Sequence, residues 1–180
     1  MSEKTKKLVF CAAALSLAFV TSLIKLFSLP FGGTVTLFSM LFIVIAALWY
    51  GPVSGIILGI ILGIFEFMIE PVFLSVPQFL LDYICSYGAL GIAGFFRGKD
   101  DSRPKLIPGY ITAILARGFF ATLAGYIFWM DYMPDNFPES ISFLYSIIYN
   151  YSYILAEGIL TVIILCVPAV RKAIEKTKTP

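Results

Sequence analysis

Histidine is missing altogether from this chain of 180 residues, and charged residues make up only 13% of it. Without histidine the commonest metal ligand and the usual general base near neutral pH are both gone. An HExxH zinc site cannot be written, and no metal site is expected. No GxxxxGK[ST] phosphate loop occurs, so ATP hydrolysis by that route is excluded. Cysteine is confined to Cys11, Cys85 and Cys166, far apart and each within an apolar run, which reads as small core residues rather than a disulfide or metal set. No cofactor, catalytic residue or nucleic-acid partner is expected.

What is present is apolar. Hydrophobic residues account for 59% of the chain and the mean hydropathy is +0.92, whereas soluble domains average about 45–50% apolar and roughly 25% charged residues. The chain therefore reads as an all-α integral membrane protein, a single membrane domain over residues 1–180. A hydrocarbon core about 30 Å thick takes roughly 20 residues per helix, which leaves room for about six spans and no soluble catalytic domain. Residues 4–23 resemble a secretory signal with a basic start, but the polytopic sequence behind them makes this a retained first span. A lipoprotein role for Cys11 fails, because only Leu8, Val9 and Phe10 form an apolar run before it.

Apolar runs, Pro/Gly punctuation and charge place six helices at about 7–27, 35–50, 53–70, 77–96, 105–130 and 141–169. The positive-inside rule checks this layout. Lys4, Lys6 and Lys7 precede the first helix, Arg97, Lys99, Arg103 and Lys105 separate the fourth and fifth, and Arg171, Lys172, Lys176 and Lys178 follow the sixth. Six spans put all three clusters on one face, so both termini are expected to be cytoplasmic. The other face receives Glu70, Asp131, Asp135 and Glu139 with a lone Lys25.

Depth then singles out certain residues. Asp82 lies five residues after Pro77, roughly 7–8 Å below the outer end of its helix at 1.5 Å per residue. Intramembrane acids usually face a cavity or a partner. Glu66, Tyr83, Tyr87, Trp129, Tyr145, Tyr149 and Asn150 fall in the same outer half, on four different helices, the pattern of a pocket opening outward. The intramembrane cation Arg117 lies nearer the level of Glu157, so these two are expected to form a structural ion pair, leaving Asp82 free. A free carboxylate among aromatic rings suits a cationic or donor-rich organic ligand.

Small residues form two further patterns. Gly51, Gly55, Gly59 and Gly63 recur every four residues, a smooth face for close packing inside the chain. Ala12 and Ser16 on the first helix form a similar pair, open either to internal packing or to a partner subunit.

Four stretches carry a resemblance: SLPFGGTVT, PQFLLDYICSYGALGIAGFF, RGFFATLAGYIFW and YSIIYNYSY. Together the chain resembles the thiamine-specific S-components of energy-coupling factor (ECF) transporters. The resemblance implies a six-helix S-component bundle that binds thiamine from outside with high affinity in a plasma membrane. Release would be driven by an ECF module, a transmembrane coupling subunit plus two ATPases, docking on Ala12 and Ser16. It further implies that Asp82 and Tyr83 contact the ligand, that Trp129 packs on its rings, that Tyr145 and Asn150 bond the aminopyrimidine, and that the loop at 29–34 closes over the pocket. Ala121 departs from the family, which carries a pocket histidine there. Related compounds, hydroxymethylpyrimidine or pyridoxine, are therefore alternative ligands. Readings from other classes are an intramembrane hydrolase using Asp82 and Glu66 as a carboxylate pair, and a membrane assembly factor with no ligand.

Overall fold

The computed structural model describes residues 2–98, 104–132 and 138–177. Lys99, Arg103, Asp135 and Lys178, used above for orientation, lie outside the described residues. Helix α1, Glu3–Ser22, starts at Ser2, whose hydroxyl accepts the Thr5 N–H at 3.3 Å, with Glu3 in the positive first turn. It stops short of the expected end at 27. Lys25–Ser28 instead forms strand β1, paired antiparallel with β2, Thr34–Thr36. Pro30–Gly32 turns the chain, with Gly32 at φ +94°, and Leu29 N–H bonds the Gly33 carbonyl at 2.7 Å. Apolar composition alone made 23–27 look helical. The Pro-Gly turn beside it supplies a second strand, and pairing satisfies the backbone. The bundle is therefore helical with one short hairpin.

Helix α2, Ser39–Tyr50, has 12 residues, about 18 Å, and is buried along nearly its whole length. Gly51, at φ +89°, ends it where a side chain would be strained. Its start is unusual. Phe38 sits in the left-handed region at φ 63°, a costly conformation for a bulky residue. The Glu157 carboxylate caps this start from across the bundle: it accepts Thr36 N–H at 3.1 Å, Thr36 Oγ1–H at 2.6 Å, Ser39 Oγ–H at 3.3 Å and Met40 N–H at 3.2 Å. Glu157 thus does not form the expected ion pair with Arg117. Met40 N–H, an N-terminal donor of α2 without a partner in its own helix, shares Oε1 with Ser39 Oγ–H, while Thr36 at the end of β2 takes Oε2 through its N–H and hydroxyl.

Helix α3, Pro52–Ile69, opens on a proline suited to a first turn and packs its glycine face on α4, Val76–Phe96. A Cβ on Gly59 would stand 2.2 Å from the Tyr87 carbonyl oxygen, and one on Gly63 2.2 Å from that of Tyr83. Only glycine permits that approach. Helix α4 is itself irregular, widening to a π turn over Leu80–Cys85 and tightening to 3-10 geometry over Ala89–Phe96. Helix α5 is Leu106–Phe128. Helix α6, Ser142–Cys166, stops before 169 because Pro168 begins a separate short helix, α7, Pro168–Lys176.

Among the described residues five helices, α1, α3, α4, α5 and α6, are long and apolar enough to cross a membrane, and α2 is shorter. Lys7 lies over the Tyr50 ring at 5.8 Å, and Trp49 Nε1–H bonds Thr177 Oγ1 at 3.1 Å, so the start of α1, the end of α2 and the end of α7 share one end of the bundle. The hairpin marks the opposite end, where Lys25 pairs with Glu70 after α3.

Candidate ligand-binding site

Helices α4, α5 and α6 line an open-mouthed cavity at the hairpin end, about 910 Å³ counting the space in its open mouth. The β1–β2 turn covers part of it through Gly32, Gly33 and Thr34, and Val72 contributes from the segment before α4. Asp82, Tyr83, Tyr87, Trp129, Tyr145, Tyr149 and Asn150 all line this space, so seven of the residues singled out by sequence for an outward pocket meet in one place. Glu66 does not line it. Its side chain turns to Ser22 at the end of α1, and its Oε1 is buried without a hydrogen-bond partner. Helix α3 is therefore not a wall of the cavity.

The π turn presents Asp82 inward on α4. Its Oδ2 accepts Gln78 Nε2–H at 2.7 Å and Trp129 Nε1–H at 3.1 Å. Among the described residues no basic side chain pairs with Asp82, and none donates to Oδ1. Asn150 is oriented as firmly: Nδ2 donates to the Ser146 carbonyl at 2.9 Å, and Tyr153 O–H donates to Oδ1 at 3.0 Å. One Oδ1 lone pair stays available. Gly125 on α5 makes room for this part of α6, since a Cβ there would lie 2.4 Å from Ser146 Oγ.

Aromatic rings form the walls. Tyr145 and Tyr149 stack at 6.3 Å, Trp129 lies 5.6 Å from Tyr132, and Tyr83 packs on Phe79 and Phe67. Tyr149 ties the hairpin turn to α6, its hydroxyl accepting Gly33 N–H at 3.1 Å and donating to the Pro30 carbonyl.

Sequence reasoning missed three contributors. Arg117 lines the cavity rather than pairing with Glu157; its guanidinium lies over the Tyr87 ring at 4.1 Å and Nε has no hydrogen-bond partner. Tyr153 belongs to the lining, and its spacing of four from Tyr149 was the available signal. Gln78, fully buried behind Asp82, was signalled by Ser75-x-x-Gln78 ahead of an apolar run.

The arrangement offers one carboxylate oxygen, one amide, one guanidinium and a surround of rings, which is equipment for holding a molecule. Among the described residues no cluster of His, Cys, Asp and Glu could hold a metal ion. The carboxylate pair required by an intramembrane hydrolase is not formed, because Glu66 and Asp82 do not share the cavity.

Comparison with known proteins decides the family. The thiamine transporter protein family matches residues 8–177, nearly the whole chain. The chain belongs to the thiamine transporter family. Thiamine transporter ThiT of Bacillus subtilis is 29% identical, the match covering 88% of this chain and 85% of that one. ThiT from Listeria monocytogenes has a similar fold, with a TM-score of 0.71 at 21% identity over 94% of this chain and 98% of that one. The family is one of membrane transporters and not of enzymes, and the apolar helices agree with a membrane location.

Proposed function

We propose that this chain is the substrate-binding S-component of an ECF importer and takes thiamine from the outer face of the plasma membrane with high affinity. The observation that carries the reading is Asp82, a carboxylate with one oxygen held by protein donors and the other facing an aromatic-walled cavity. Thiamine is a ring cation bearing an amino-pyrimidine. Asp82 would neutralise or bond its donors, Trp129 and Tyr83 would pack on its rings, and Tyr145 and Asn150 would read the pyrimidine edge. Six spans with both termini inside accord with Lys7, Arg97 and the α7 cations gathering away from the hairpin. ATP hydrolysis would reside in the partner ATPases.

Titration of the detergent-purified chain with thiamine tests this directly. Trp129 and Trp49 are the only tryptophans, and Trp49 is at the end far from the cavity, so Trp49→Phe leaves one reporter beside the ligand. Saturable quenching in the nanomolar range is expected. Hydroxymethylpyrimidine and pyridoxine form a second reading, favoured because Ala121 lines the wall and brings no polar group. A response to one of these without a response to thiamine would keep the architecture and move the substrate. Silence from all three would sink the binding-subunit reading and favour an assembly factor.

The ECF module would dock on α1. Ala12 and Ser16 are both exposed, and Ser16 O–H is spent on the Ala12 carbonyl at 2.9 Å, which leaves a smooth surface. Ala12→Trp with Ser16→Trp should leave thiamine affinity unchanged and abolish uptake in cells supplying the module. Normal uptake by this double variant would remove that face from the docking surface.

A further inference from the structure

Gln78 does not touch the cavity, is fully buried, and makes three hydrogen bonds with separate jobs. Its backbone N–H bonds the Ser75 hydroxyl at 3.2 Å, and its Oε1 accepts Leu74 N–H at 3.2 Å. These two contacts are a variant of the capping box, in which a residue at the third helical position reaches back over the helix start. Capping alone would explain the residue, but glutamate caps at least as well there. The third contact separates the two side chains: Nε2 donates to Asp82 Oδ2 at 2.7 Å, one turn further along α4. Because Oε1 is committed to Leu74 N–H, the amide cannot flip, and the group facing Asp82 has to be a donor.

We infer that Gln78 is a positioning residue of the ligand site, whose amide commits Asp82 Oδ2 to the protein and so turns Oδ1 toward the ligand. Trp129 Nε1–H is the second donor to the same oxygen, so the pair also fixes the indole that walls the cavity. The bond to Leu74 extends the effect to the segment before α4, where Val72 is a lining residue. One buried amide thus registers an anion, a ring and a loop against one another. The inference rests on thiamine being the ligand of this cavity.

Gln78→Glu and Gln78→Met, each alone and combined with Asp82→Asn, are titrated with thiamine by calorimetry beside the parent chain. Glutamate keeps the cap acceptor but places a carboxylate against Asp82. It should raise the thiamine Kd tenfold or more and also lower the melting temperature of the unliganded chain, because two carboxylates, one of them fully buried, then meet at hydrogen-bond distance; the melting temperature should recover when Asp82→Asn removes one of them. Methionine keeps the volume and loses both functions; it should lower the melting temperature and raise the Kd as well. In the Asp82→Asn background either change should cost less than threefold, because the oxygen being positioned is no longer an anion. A Gln78→Glu chain with parental affinity overturns the inference. So do losses of equal size with and without Asp82→Asn, which would mean that Gln78 acts elsewhere. A parent chain that does not bind thiamine overturns the functional reading, and the inference with it.

Discussion

Asp82→Asn should weaken thiamine binding by about 1–3 kcal/mol, the scale of losing a charge-assisted hydrogen bond, or roughly 5- to 150-fold in Kd. The direction follows from which atoms are already engaged. Gln78 Nε2–H and Trp129 Nε1–H both point at the same oxygen. An asparagine would give its single carbonyl oxygen to these two donors. Its NH2 group would then face the cavity. A ligand that presents N–H donors and positive charge would lose an acceptor and meet a donor in its place. The unliganded protein should barely notice, since both protein donors keep their acceptor and the volume is unchanged. Calorimetric titration with thiamine, together with melting of the free chain, separates the two effects. Parental affinity in Asp82→Asn would remove Asp82 from the site. A large fall in melting temperature would mean that its charge holds the fold instead.

Much of this site was legible from the sequence because membranes make polar residues informative. An acid in an apolar run has few reasons to be there, and Asp82, Tyr83, Trp129, Tyr145, Tyr149 and Asn150 do line one cavity. The same logic misplaced Glu66. It sits at the appropriate depth, yet depth leaves the rotation of a helix undetermined, and the glycine face of α3 must lie against α4. That packing turns Glu66 toward α1. The expected Arg117–Glu157 pair failed for a related reason. Charge matching at equal depth ignored the backbone donors at the start of α2, which compete for a carboxylate as effectively as a cation does. The hairpin at 25–36 was read partly as helix, because strand pairing depends on a second segment that composition does not reveal. Irregular turns in α4 left no sequence mark that a helical period could pick out, though Asp82 projects from one of them.

The competition for Glu157 leads to the largest stability effect expected in this chain. Glu157→Leu should destabilise the protein by about 3–5 kcal/mol, since it strands the buried N–H groups of Thr36 and Met40, each costing roughly 1–3 kcal/mol when unsatisfied. The Thr36 and Ser39 hydroxyls can partly compensate by bonding each other, already 2.7 Å apart, whereas both backbone donors lose the acceptor they have in Glu157. Thiamine affinity should fall too, because Thr36 anchors the hairpin that brings Gly33 and Thr34 to the cavity. Arg117→Met supplies the control. Had the two formed a buried ion pair, breaking it from either side would cost a similar 3–5 kcal/mol. Among the described residues Arg117 forms no close ion pair, and its guanidinium stacks on the Tyr87 ring, a contact worth about 0.5–2 kcal/mol, so Arg117→Met should melt closer to the parent than Glu157→Leu does. Equal losses from the two variants would restore the ion pair. A Glu157→Leu chain that melts with the parent would show that the start of α2 needs no cap.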